Sequence, residues 1–137
     1  MILNLIICRS HVEEIVGKSK GSVIERVFIG VGLMKGDEAH VLSIHECLNV
    51  ARDPRVEFKA EPTCLYNVIL SAESRGLDII LLIHSHPAPP QPSSLDLEGL
   101  KTWRKPWLIV DSRTGDYRAW FFNGRSLQDV SILESNC

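Results

Sequence analysis

The sequence has no run of the roughly 18 uninterrupted apolar residues that a membrane helix requires. Its apolar opening, MILNLIIC, is too short for a secretory signal and lacks the flanks of one. No membrane partner is expected, and a cytoplasmic protein is the default reading. Charge of one sign is also lacking: 15 Lys and Arg stand against 17 Asp and Glu, a formal net charge of −2. The basic residues are scattered rather than striped, so no field is available to hold nucleic acid. Cysteine is sparse, and Cys8, Cys47, Cys64 and Cys137 form no CxxC or CxxxC pair, so the sequence shows no thiolate zinc site. Buried free thiols are expected. A disulfide through Cys137, within the chain or between chains, stays open because a terminal cysteine is usually exposed.

Repeats, low-complexity blocks and linkers are absent too. A chain of 137 residues, 45% of them hydrophobic, suits one domain over residues 1–137 with its own core. The glycine-bounded stretch Gly17-Lys18-Ser19-Lys20-Gly21 has no Walker spacing, and reads as a solvated turn.

What is present has the pattern of a mixed α/β fold. Met1–Ile7 reads as a short strand, and Ser10 as the cap of a helix through Val16. The β-branched run from Val23 to Met34 predicts a buried strand in which Glu25 is the one discordant residue. Lys35-Gly36-Asp37-Glu38 turns the chain into an antiparallel partner from His40 to about Leu48. Glu61-Pro62 opens a helix that Gly76 stops. Leu77–Ile83 is a central strand, covered on both faces. Further strands are expected at Pro106–Val110, Tyr117–Phe122 and Val130–Leu133, with Arg113-Thr114-Gly115-Asp116 as a hairpin turn between the first two.

The central strand ends in His84-Ser85-His86-Pro87. Side chains alternate across a strand, so His84 and His86 face the same side and can share a metal ion. Four prolines between positions 87 and 92 make a rigid loop that leads into Ser93-Ser94-Leu95-Asp96 at the start of a short helix. Asp96 is placed to complete a His-His-Asp set, three ligands that leave a fourth position for water, as catalytic zinc requires. Such a site lowers the pKa of water from about 16 toward 7. Each piece alone has a plainer reading: two surface imidazoles, and a helix cap at Ser93 with Asp96 on the helix dipole.

Taken together, HSHP, the loop, SSLD and the upstream Glu25-to-Gly32 spacing in ERVFIGVG resemble the JAMM, or MPN-plus, metalloprotease domain in its compact archaeal and bacterial form. Asn49, the helix before HSHP and the strand Tyr117-Arg118-Ala119-Trp120 extend the likeness over most of the chain. The chain departs from the pattern in one place: the loop before Ser93 is one residue shorter. Taking Ser94 as the family serine would restore the loop but put Leu97 where aspartate is required.

The resemblance implies a curved mixed β-sheet flanked by helices with cytidine-deaminase-like layering. It also implies one Zn2+ per chain on His84, His86 and Asp96. Glu25 would take a proton from the attacking water and pass it to the leaving amine, and Ser93 would hydrogen-bond the oxyanion. The implied substrate is a conjugate of a ubiquitin-like modifier or sulfur-carrier protein, its extended tail adding as a strand beside the site. A homodimer through the N-terminal strand or Cys137 is an open possibility. Competing expectations are a metal-free MPN scaffold, which would lack part of the ligand set, and a RadC-like domain of unclear activity. A zinc deaminase would need an HxE or CxE element together with a PCxxC pair, and that combination is absent.

Overall fold

A computed structural model describes residue 2 and residues 4–137. Strand β1 (Asn4–Cys8) runs directly into helix α1 (Arg9–Ser19). With no loop between them, Cys8 occupies the cap position without a side-chain bond and Ser10 lies inside the helix, contrary to its expected capping role. Gly17 does not end the helix either. The last turn continues to Ser19 and closes through the Lys20 N–H on the Val16 carbonyl, 2.9 Å away.

Strands β2 (Val27–Lys35) and β3 (Glu38–Cys47) form the expected antiparallel pair, turning at Gly36 with φ +60°. Gly32 sits at an irregularity in their register, and a Cβ there would collide with the His40 carbonyl. Glu25 lies two residues before β2 rather than inside it, because its N–H is bonded to the Pro54 carbonyl and not to a neighbouring strand. Helix α2 (Pro62–Ser74) is capped by the Glu61 carboxylate, which accepts from the N–H groups of Thr63 and Cys64. After Gly76, at φ +70°, come β4 (Asp78–His86), α3 (Ser94–Thr102), β5 (Trp107–Asp111), β6 (Tyr117–Phe122) and β7 (Leu127–Ser135).

The strands are ordered β1-β3-β2-β4-β5-β6-β7, and β1 closes the sheet by pairing in parallel with β7. Closure leaves β1 with a partner on each side, β3 and β7. The mixed sheet with flanking helices is the expected class, and the closure curves it fully round. One apolar core joins α1 (Val12, Ile15) to Leu5, Phe28, Ile83 and Leu108, and a second packs α2 (Val68, Ala72) on Ile29 and Val31. Strand β4 lies between the two cores, with Ile80, Leu81 and Ile83 at 0% exposure.

The cysteines overturn the expectation of free thiols. Cys47 at the end of β3 is bonded to Cys64 in the first turn of α2, and Cys8 to Cys137. Cys137 is therefore engaged within its own chain. No helix among the described residues is long and apolar enough to cross a membrane.

Candidate metal centre

Strand β4 pairs antiparallel with β2 and parallel with β5, so His84 is held between Val27 and Ile109. Its carboxyl end, where β4 and β5 run side by side, is the usual place for a ligand site in such sheets. His84 and His86 emerge on the same face with ring centroids 5.5 Å apart. Ser85, between them, points the other way. Its hydroxyl accepts from the Arg26 N–H at 2.9 Å and its N–H donates to the Arg26 carbonyl at 3.0 Å, which brings the neighbouring Glu25 to the histidines.

The proline-rich loop is pinned at two points. Trp120 Nε1 donates to the Pro90 carbonyl at 2.9 Å, and His86 Nε2 lies 2.9 Å from the Pro89 carbonyl. A carbonyl only accepts, so His86 carries its proton on Nε2 and keeps a lone pair on Nδ1, directed toward Asp96 Oδ2 3.8 Å away. Ser93 and Asp96 close a reciprocal capping box at the head of α3: the Asp96 N–H donates to Ser93 Oγ at 3.1 Å, and the Ser93 N–H to Asp96 Oδ2 at 3.0 Å. The cap and the ligand readings are thus compatible. The box fixes the carboxylate while Oδ1 reaches to 3.2 Å from His84 Nε2. The shorter loop still delivers Asp96 to the histidines.

One donor atom each from His84, His86 and Asp96 falls within 4.8 Å of the others, and all three residues are buried. His84 is 0% exposed, and neither of its nitrogens has a hydrogen-bond partner. Nε2 faces Asp96, and Nδ1 is 3.4 Å from Glu25 Oε1, both within ion-pair reach but out of hydrogen-bond alignment. Orphaned ring nitrogens at zero exposure are costly unless something binds them. Two imidazoles and a carboxylate converging in this way form a set that can hold a metal ion. Burial alone would push the His84 imidazole down, yet the carboxylates of Asp96 and Glu25 outweigh it and hold the metal-free ring up at about 9. Burial likewise opposes the Asp96 anion, and the His84 imidazole beside it holds that carboxyl below the usual range.

The structure brings together four of the five residues singled out from the sequence: His84, His86, Asp96 and Glu25. The fifth, Ser93, joins through Asp96, with an exposed side chain at the head of α3. Sequence reasoning missed Phe58, whose ring stacks on His84, and the contributions of Ser85, Trp120 and Asn49. A serine between two histidines carries a hint that its side chain faces away from them; Phe58 and Trp120 act across long sequence distances that leave no local pattern.

Residues 7–123 match the family described as prokaryotic homologs of the JAB domain. A desampylase of Pyrococcus furiosus is 36% identical over 104 residues, covering 74% of this chain and 73% of that protein. A probable TtuB-protein conjugate cleaving protease of Thermus thermophilus is 33% identical over 81 residues, 58% of this chain and 53% of the other. A solution structure of a Desulfitobacterium hafniense protein superposes with a TM-score of 0.82 at 17% identity over 97% of this chain and 94% of its own, a likeness of fold alone. With the family model matching residues 7–123 and a relative 36% identical over 74% of the chain, the chain belongs to the prokaryotic JAB-domain family, within the wider JAMM/MPN group.

Proposed function

We propose that the chain hydrolyses the amide between the C-terminal tail of a ubiquitin-like modifier and its conjugated amine, with one zinc ion per chain held by His84, His86 and Asp96. The chain is a JAMM-type isopeptidase. The observation that carries the reading is the buried His84 imidazole, with both nitrogens unpartnered and carboxylates on either side. When bound, zinc supplies a Lewis acid that polarises a carbonyl and makes water acidic enough to attack at neutral pH.

Glu25 is the proton carrier. It is 5% exposed and next to His84, where its carboxylate takes a proton from the attacking water and returns it to the amine as the C–N bond breaks. The products are the modifier's free carboxylate and the released amine. Ser93 Oγ accepts from the Asp96 N–H, and its own hydroxyl proton remains available to donate to the oxyanion as it develops.

The modifier's tail binds as an added strand. The closed sheet has no ladder edge to offer beside the site. The loop between β3 and α2 does, because the N–H and C=O groups of Phe58 and Ala60 have no backbone partner among the described residues. Cytoplasmic location belongs to the same reading. A second protomer is not needed for chemistry, since one chain supplies every group named, and no nucleic acid or membrane takes part.

The test is cleavage of a ubiquitin-like modifier joined to a lysine side chain. A chelator should abolish it, zinc should restore it, and Glu25→Gln should retain zinc without activity. Cleavage that continues at full rate after complete metal removal contradicts the reading.

A further inference from the structure

Glu25 stands outside the β ladder, so nothing in the sheet fixes its own backbone groups. The loop between β3 and α2 does. The Glu25 N–H donates to the Pro54 carbonyl at 2.7 Å, and the Glu25 carbonyl accepts from Asn49 Nδ2 at 2.7 Å. The Asn49 side chain is also the hub of the loop itself. Nδ2 donates to the Glu57 carbonyl at 3.0 Å, and Oδ1 accepts from the N–H groups of Ala51 and Lys59, each at 3.0 Å. With the Pro54 carbonyl also facing Nδ2 at 3.4 Å, three carbonyls meet the amide nitrogen and two N–H groups meet Oδ1, a pairing of donor and acceptor sides that suits a carboxamide and that neither a carboxylate nor a hydroxyl can supply.

Resting on the assignment of Glu25 as proton carrier, we propose that Asn49 is a positioning residue for catalysis. It fixes the Glu25 backbone from the loop side while Ser85 on β4 fixes the adjacent Arg26 from the strand side. Glu25 is thereby suspended between two anchors, and its carboxylate is held 3.4 Å from His84 Nδ1. None of the hydrogen bonds of Asn49 goes to His84, His86 or Asp96, so its effect falls on proton transfer rather than on metal retention. Without the Nδ2 bond, the Glu25 carbonyl loses its partner while the N–H bond to Pro54 and the Ser85 contacts at Arg26 remain, and the loosened segment samples positions from which the carboxylate no longer meets the attacking water.

Asn49→Asp is the discriminating variant. It keeps an acceptor for Ala51 and Lys59 but sets an oxygen against the Glu25 carbonyl. The expected result is a folded protein with about one zinc per chain, a fall in kcat of at least about tenfold with KM within about twofold, and faster exchange of the Glu25 amide hydrogen. Each of these departs from what a merely structural role would give, in which folded fraction, zinc content and activity fall together. Full kcat with unchanged exchange, or a loss of activity that only tracks lost zinc, overturns the proposal. Should the variant not fold, the wild type still decides: slow exchange of the Asn49 side-chain amide protons supports the proposal, and rapid exchange overturns it. Glu25→Gln is assayed alongside. Full activity in that variant overturns the assignment of Glu25 itself, whereas an inactive Glu25→Gln beside a fully active Asn49→Asp overturns only the role of Asn49.

Discussion

The Phe58 ring lies nearly flat on the His84 imidazole, with centroids 4.4 Å apart and planes inclined by 21°. Trp107 meets both rings edge-on, at 5.7 Å from Phe58 and 5.9 Å from His84. The His84 imidazole is therefore oriented by apolar walls that leave both of its nitrogens free. Phe58 also lines a cavity of 560 Å³ beside α2, so removing its ring would join that space to the metal site.

Phe58→Ala should fold and weaken zinc retention by roughly 3- to 10-fold, the equivalent of about 0.5–1.5 kcal/mol for one aromatic contact. Competition against a chromogenic chelator measures it. An unchanged affinity would mean that the strand alone orients His84.

Zinc loading should depend on pH in a definite direction. The metal-free His84 ring, held up at about 9, is protonated at neutral pH, and a metal can bind only after that proton leaves. Apparent affinity should rise by up to about tenfold per pH unit as pH climbs toward 9, with proton release on binding. The metal-free fold behaves oppositely. A raised pKa stabilises it fully below the ordinary histidine value, and that contribution is lost as pH rises through about 9. Zinc titrations at several pH values, in buffers of different ionisation enthalpy, test both signs.

The turn after β5 gives an acid-side prediction. Arg113 donates to Asp111 from Nε at 3.0 Å, from its second guanidinium nitrogen at 2.9 Å and from its N–H at 2.9 Å, holding the Asp111 carboxyl at about 2. A lowered pKa stabilises the fold above the ordinary carboxylate value, and the contribution fades as pH falls from about 4 through about 2. In Asp111→Asn the melting temperature should fall at pH 7, and the gap to wild type should close by pH 2. A gap that stays constant with pH would point to packing instead.

The bridge from Cys47 to Cys64 spans a sequence separation of 17 and closes the loop that carries Asn49 and Phe58. Replacing both cysteines by serine should cost on the order of 3 kcal/mol of stability, as for loops of about 15 residues. Chemical denaturation of the variant and of the reduced wild type should agree in direction. No shift in midpoint would show that the loop's hydrogen bonds hold it without the bridge.

Much of this architecture was legible locally. The apolar run into His84-Ser85-His86 marks β4 because a buried central strand must be apolar on both faces, and Gly115, at φ +86°, occupies the turn where a hairpin was expected. The convergence of His84, His86 and Asp96 was legible because alternation and a capping pattern are short-range signals. Glu25 stood out as the discordant residue of a predicted strand, yet it lies before β2: the β-branched run beginning at Val23 does not reveal that the residue's N–H goes to Pro54. The pairing of β1 with β7, the partners of the four cysteines and the stack of Phe58 on His84 join segments far apart in sequence. Contacts of that kind are fixed by the packed whole and have no local periodicity to announce them.

The central claim is that His84, His86 and Asp96 hold a zinc ion on which the isopeptidase depends, and metal content tests it most directly. Elemental analysis of purified wild type, His86→Ala and Asp96→Ala should find about one zinc per wild-type chain and a loss of most of it in both variants, each still folded by circular dichroism. A wild type that carries no zinc and cannot be loaded, or variants that keep a full equivalent, would contradict the account.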